Sequence, residues 1–410
     1  MRHRAWAVAS FVLVFGTGLL LWSLLGRSPT GPAPLLTPPA ISLAAEADRA
    51  AEADRAAEAD LPPITNSFGA AATLPNELTA GTFWKMISEF SEPGGYFMYE
   101  NFLSNEKSYQ DPIPSLKTAA KPGGAYLGVG PEQNFTYIAA IRPAMAFVID
   151  IRRQNMIELL MYKALFALAA NRAEFVSLLF SRKPPIAPDE NSTPQEMFRA
   201  CAAAQPEPKL FESNLRRIKD YLHLGRDDER TIEDVYRVFF SIGPDLTYSS
   251  TSSNAPSGPS YAELMTLTDA NGENRSYLAS EDNFRFVKEM QRKNLIVPLV
   301  GDFAGPKAIR TVGRYLKEHH ATVSAFYLSN VEMYILPSAQ WKSFCANVAA
   351  LPVDGSSVFI RFLLGRYAFA ASRNIYGVRN VSVTGPMIDV LTGVVNGYPP
   401  SYYDLIRASK

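Results

Sequence analysis

The stretch Ala125-Tyr126-Leu127-Gly128-Val129-Gly130, with the turn-forming residues 131–134 behind it and Met145-Ala146-Phe147-Val148-Ile149-Asp150 some fifteen positions further on, decides the fold. The first run is apolar and closes in glycines, as a short buried strand does. Residues 135–141 have the composition of a helix. The second run is unbroken hydrophobic sequence ending in an acid, which is expected of a parallel strand covered on both faces. The order is therefore strand, glycine turn, helix, strand, acid. Glycines let a backbone approach a ligand, and a helix start offers unpaired N–H groups. An acid about twenty residues on can accept a ribose hydroxyl. Asp150 lies twenty positions after Gly130. Only two glycines are present, and Glu132 stands where a third is expected, so a charge there opposes a pyrophosphate. The motif suits a ligand that brings ribose without phosphate to the turn. The plainer reading is a tight strand-to-helix turn, with Asp150 serving as a local cap.

Outward from this unit the pattern repeats. Residues 295–302 read as a second buried strand with Asp302 at its end, residues 304–320 as a helix, and residues 322–328 as another strand closing in Ser329, Asn330, Val331 and Glu332. Residues 358–363 and 380–383 supply further strands. If these strands are parallel neighbours, Gly128, Asp150, Asp302 and residues 329–332 converge on one crevice outside their carboxyl ends. A single helix is predicted over residues 155–182, and Arg152, Arg153, Gln154 and Asn155 at the preceding strand end are candidates to face the crevice. Residues 184–290 read as a helical and loop insertion, with helices at 211–223 and 231–240. The serine-rich run 248–260 suits a lid or an exposed loop. A helix is predicted over 82–90, and Tyr96 with residues 101–106 is placed over the cleft.

The N-terminal seventy residues are of another kind. Residues 5–25 are nearly all apolar, long enough for a helix to cross a bilayer core of roughly 30 Å. Arg2 and Arg4 precede them. The positive-inside bias then places the N-terminus in the cytoplasm and the remainder extracytoplasmic, in a periplasm, with the cytoplasmic face as the alternative. The expected organisation is an uncleaved anchor over 1–27, a linker over 28–74 with proline-rich and Ala-Glu-Ala-Asp-Arg-Ala portions, and an α/β domain over 75–410.

Composition excludes several functions. Forty basic and forty acidic residues cancel, which leaves no global field to hold nucleic acid. Two cysteines and four histidines are too few for a structural zinc site. Cys201 and Cys345 read as buried thiols or as one pair in an oxidising compartment. Serine-hydrolase, phosphate-loop and zinc-protease motifs do not occur. Asp302 with Glu332 is a possible glycosidase-like carboxylate pair.

At these motifs the sequence resembles the class I S-adenosylmethionine-dependent methyltransferase fold. Residues 126–130 look like its glycine motif, Asp150 like its ribose acid and residues 329–332 like the polar motif after its fourth strand. It is still more similar to a family of uncharacterised bacterial methyltransferase-like proteins, through the runs 126–135, 150–155, 300–306 and 328–332. The resemblance implies a Rossmann-like, mostly parallel sheet with helices on both faces and an S-adenosylmethionine cofactor. Gly128, Gly130, Glu132 and Asn134 would belong to the cofactor turn, and Asp150 would hold the ribose. Asp302 and Glu332 would contact the amino or adenine end, while Ser329 and Asn330 would line the site, Asn330 orienting the methyl acceptor. The implied partners are a small-molecule ligand and, through the anchor, a membrane. The alternative is a ligand-binding or envelope protein on the same scaffold.

Overall fold

The computed structural model of the protein describes residues 73–184, 186–251, 258–336, 340–372 and 379–409. The expected anchor, nearly all of the linker and residues 252–257 of the serine-rich run lie outside the described residues. No helix among the described residues is long and apolar enough to cross a membrane.

Helix α1 (Ala80–Phe90) starts at Thr79, whose hydroxyl accepts from the Thr82 N–H, and it buries Phe83, Met86 and Ile87. After α2 (Ile113–Ala119) come β1 (Ala125–Gly128), α3 (Gln133–Ile141) and β2 (Met145–Asp150). Every residue of β1 and β2 is buried, as their unbroken apolar sequence requires. The chain continues through α4 (Arg153–Leu168), α5 (Arg172–Phe180), α6 (Pro194–Ala203), α7 (Pro208–Leu222), α8 (Arg226–Ile242), α9 (Tyr261–Thr266) and α10 (Glu281–Arg292) to β3 (Ile296–Val300). Then follow α11 (Ala308–Glu318), β4 (Val323–Ser329), α12 (Val331–Ile335), α13 (Gln340–Ala349), β5 (Val358–Leu364), α14 (Arg366–Ala371), β6 (Asn380–Pro386), α15 (Ile388–Val395) and α16 (Tyr402–Arg407).

The six strands form one sheet in the order β3-β2-β1-β4-β5-β6, with helices around it. All neighbours are parallel except β5 and β6, whose antiparallel ladder runs from Val358↔Pro386 to Leu364↔Asn380. The chain builds outward from β1 to β3 and then returns to lay β4 against the other side of β1. Connections on either side of this switch point depart in opposite directions, which opens a crevice at the carboxyl ends of β1 and β4.

Three expectations change. The single helix over 155–182 is two helices: Ala169 is extended, and Asn171 caps α5 by accepting from the Glu174 N–H. Helix α11 starts at Ala308 rather than 304, because residues 301–307 form a loop held by Glu92. The last strand is antiparallel, and α2, α12, α13, α14, α15 and α16 were not foreseen.

The insertion is a helical layer built on α4, which is buried on nearly all sides. Aromatic side chains form the joint: Phe166 packs on Phe175 with centroids 4.6 Å apart, Phe135 on Tyr277 at 5.5 Å and Phe180 on Tyr261 at 5.4 Å. The Tyr261 and Tyr277 hydroxyls meet at 2.5 Å, so these rings enter the core with their polar ends paired. Cys201 and Cys345 are both unpaired and buried, and burial pushes each thiol up to about 12.

Glu332 and Arg361 join β5 to the helix that follows β4. Arg361 Nε and Nη2 donate to Glu332 at 2.7 and 3.1 Å, with both side chains almost completely out of solvent. Removing one partner leaves an uncompensated buried charge, which costs roughly 3–5 kcal/mol. Chemical denaturation of Glu332→Ala should show a loss of that size, and a change below about 1 kcal/mol would mean the pair is not desolvated as described.

Candidate functional site

The glycine turn after β1 is shaped from inside by Asn134. Its Nδ2 donates to the carbonyls of Val129, Gly130 and Pro131 at 2.9, 3.0 and 2.7 Å, while its Oδ1 accepts from the Tyr126 hydroxyl at 2.8 Å. Gly128 is required by this packing, since a Cβ there would run into Asn134 Oδ1 and lie 2.8 Å from the Tyr126 hydroxyl. Gly130 has φ +76°, which only glycine adopts without strain. Asn155 Nδ2 adds a further bond to the Gly130 carbonyl at 3.2 Å.

A strap formed by residues 91–106 crosses the carboxyl ends of the strands. Glu92 N–H donates to the Val300 carbonyl at 2.8 Å and Gly95 N–H to the Ile151 carbonyl at 2.7 Å. The Glu92 carboxylate takes the N–H groups of Asp302, Lys307 and Ala308 at 3.1, 2.8 and 2.7 Å. The start of α11, a natural anion site, is thereby filled by the protein's own carboxylate. Further along, Arg152 Nη1 donates to the carbonyls of Tyr99 and Glu100. Ser104 N–H donates to Glu132 Oε1 at 3.4 Å. The strap ends at Glu106, whose Oε1 accepts from the Tyr327 hydroxyl at 2.6 Å and from the Ser329 hydroxyl, both on β4.

Between strap and sheet lies a cleft of about 560 Å³. Gly130, Asp150, Asp302, Ser329 and Asn330 line it, so the structure brings together five of the nine residues singled out in the sequence. Gly128, Glu132, Asn134 and Glu332 stand behind its wall. Gly128 and Asn134 act by shaping the turn, and Glu332 belongs to Arg361. Glu332 is thus turned away from Asp302, which takes the glycosidase-like pair apart. Ser329 has φ +51° and Asn101 φ +54°, both at the cleft. A left-handed serine costs on the order of 1 kcal/mol, and its bond to Glu106 offsets that strain.

Of the four polar residues after β2, Arg152 alone lines the cleft. Arg153 instead forms a forked pair with Asp228 at 2.9 and 2.7 Å, tying α4 to α8. Arg152 grips Asp150: its backbone N–H and Nε donate to Oδ1 at 2.9 and 3.2 Å, and Nη2 donates to Oδ2 at 3.3 Å. A carboxylate offers about four acceptor sites. With three taken, Asp150 retains one direction on Oδ2 for a ligand hydroxyl. At the mouth, Phe97 packs edge-on against Tyr99 at 5.7 Å and Tyr334 at 5.3 Å, and Tyr99 against Tyr248 at 5.8 Å. This aromatic rim offers ring faces to a flat or apolar ligand.

The residue that sequence reading undervalued is Glu106, assigned above only to a covering cluster. It lines the cleft, is 2% exposed, and burial pushes its carboxyl up to about 7 against the lowering effect of the Ser329 and Tyr327 hydroxyls. Its neighbour Glu132 is fully buried and pushed up to about 8, again by burial. Glu132 is therefore largely uncharged at neutral pH, and the electrostatic objection to a phosphate that its sequence position suggested disappears. Glu158, behind the turn on α4, is raised as well, by burial and then by Glu132. Among the described residues no group of three or more histidine, cysteine or acidic side chains could hold a metal ion.

The chain matches the family described as Domain of unknown function (DUF7790) over residues 101–187 and 196–382, about two thirds of its length, and belongs to that family. No curated protein matches it. The matched span covers every strand except the last four residues of β6 and most of the cleft, from Asn101 on the strap to Asn380.

Raised carboxyl values make stability depend on pH in a defined direction. Glu132 binds a proton more tightly folded than unfolded, so its contribution is complete below about 4.5 and is lost as pH rises through about 8. Glu132→Gln keeps an acceptor for the Ser104 N–H but cannot ionise. Denaturation from pH 5 to 8.5 should show the variant gaining on the wild type by roughly a few kcal/mol. A constant difference across that range would show that Glu132 titrates normally.

Proposed function

We propose that the switch-point cleft binds S-adenosylmethionine and that the protein is a methyltransferase-like enzyme of Rossmann-like fold, anchored through its N-terminal segment with the domain on the extracytoplasmic side. The observation that carries the reading is the charge of the cleft. Among the described residues that line it, the carboxyls of Glu106, Asp150 and Asp302 stand against one guanidinium, Arg152. Such a lining favours a ligand with net positive charge and works against a pyrophosphate. The start of α11, where a phosphate would gain most, already holds Glu92. A sulfonium nucleoside is cationic, carries a flat base for the aromatic rim and has ribose hydroxyls for the remaining acceptor of Asp150. Bound there, S-adenosylmethionine would supply an electrophilic methyl group, and Glu106 would take the proton of an acceptor held beside it. A group poised near neutrality suits that role. Asp302 contributes charge from the far wall, its Oδ1 fixed by the Ala304 N–H at 2.9 Å.

One observation favours a second reading, a different cationic ligand on the same scaffold. Arg152 consumes most of the capacity of Asp150, so two ribose hydroxyls cannot both be held without moving the guanidinium. Calorimetric titration of the full chain with S-adenosylmethionine and S-adenosylhomocysteine separates the two. Micromolar binding, weakened about tenfold or more in Asp150→Asn, is the expected result. Absence of binding to folded wild-type chain would overturn the cofactor assignment.

A further inference from the structure

Two buried acceptors in the cleft have no protein donor. Glu106 uses Oε1 for the Tyr327 and Ser329 hydroxyls, and its Oε2 has no partner. Gln133, 4% exposed and also lining the cleft, donates through Nε2 to the Tyr327 hydroxyl at 3.1 Å, and its Oε1 has no partner. Tyr327 fixes both orientations. Its single proton goes to Glu106, so it can only accept from Gln133, which therefore presents Nε2 to the tyrosine and leaves Oε1 unpaired. Both side chains are anchored on one hydroxyl and held rigidly from behind, Glu106 by β4 and Gln133 at the start of α3. A buried acceptor left without a donor is unfavourable, the more so when charged. Two on one hydroxyl, in a cleft whose lining is already acidic, define the complement they lack: a positively charged group with several N–H donors.

We propose that Glu106 Oε2 and Gln133 Oε1 form a subsite for the protonated primary amine of a ligand whose carbon skeleton lies toward the aromatic rim. The proposal deepens the reading of the cleft as a small-molecule site and rests on it, but not on the ligand being S-adenosylmethionine. An ammonium has three donors and no acceptor, which matches one carboxylate oxygen and one amide oxygen. A ligand carboxylate or phosphate would meet two acceptors and be repelled. The amine can belong to an amino-acid-bearing nucleoside or to a separate amine substrate; the chemistry at the subsite is the same.

The test titrates the full chain with 2-phenylethylamine, 2-phenylethanol and 3-phenylpropionate, which share a ring and differ in the terminal group. The amine should bind at least about tenfold more tightly than the carboxylate. Glu106→Gln and Gln133→Met should each weaken the amine about tenfold while leaving 2-phenylethanol within about twofold. S-adenosylhomocysteine and 5′-methylthioadenosine, the latter lacking the amino-acid portion, distinguish the source. If Glu106→Gln weakens the first but not the second, the amine is the nucleoside's own. If it weakens 2-phenylethylamine alone, the amine is that of a separate substrate. Carboxylate binding equal to that of the amine, or amine affinity unchanged in both variants, overturns the subsite. So does binding of S-adenosylhomocysteine that Glu106→Gln leaves unchanged, without any binding of 2-phenylethylamine. Amine binding without either sulfur nucleoside keeps the subsite and discards the cofactor. Should both variants fail to fold, the comparison of amine with carboxylate on the wild-type chain still decides.

Discussion

A carboxyl group buried away from solvent organises the cleft end of this molecule. Glu106 sits at the end of the strap, more than two hundred residues before the β4 hydroxyls it accepts from. Burying a carboxyl without partners is expensive, so the strap can end where it does only because Tyr327 and Ser329 are held in place by the sheet. The same contact keeps Ser329 in a left-handed conformation and gives Tyr327 the polarity that orients Gln133. The strap then roofs the crevice that the sheet's strand order had opened, turning an open notch into a cleft with a defined floor and mouth.

The cleft's chemistry follows from how its neighbours use their charges. Glu92 fills the start of α11, Arg152 ties down Asp150 while holding the strap carbonyls, and Asn134 shares its two amide hydrogens among the carbonyls of the glycine turn. Each occupies a position where an open α/β sheet can present a phosphate or ribose contact. Among the described residues lining the cleft, what remains unsatisfied is at Glu106 and Gln133, and it accepts hydrogen bonds rather than donating them. A lining of this kind is the complement of a cationic donor rather than of an anion, which is the basis of the proposed subsite.

The helical insertion serves the site from behind. Helix α4 starts directly after β2, supplies Asn155 to the Gly130 carbonyl and sets Tyr162 and Phe166 among the aromatic side chains of α5, α8 and α10. Rigidity at the glycine turn is therefore coupled to packing in the insertion. Arg153 and Asp228 reinforce that coupling on the surface, where solvent screening keeps the pair worth no more than about 1 kcal/mol.

What the sequence determined by itself were the elements whose signal is local. The apolar runs at β1, β2 and β3 read as covered strands, and the glycines at 128 and 130 announced a tight turn. From these, together with the resemblance, came the expectation of a mostly parallel sheet, which the structure bears out, and of a crevice at the carboxyl ends of its strands. Local signal failed where a polar residue had two possible destinations. Glu332 and Asp302 look alike in sequence, yet a buried arginine from β5 claims the first and leaves the second at the cleft. The helix break at 169–171 was hidden because alanines favour helix, and it is fixed by Asn171 and Glu174 capping the start of α5. Glu106 carried no motif, since its importance arises from two hydroxyls far along the chain. The antiparallel sense of β6 and the grip of Arg152 on Asp150 were likewise settled only in three dimensions. Propensity and periodicity are properties of neighbours in the chain, whereas the partner of a buried charge is chosen by whichever group the packed fold brings within hydrogen-bonding distance.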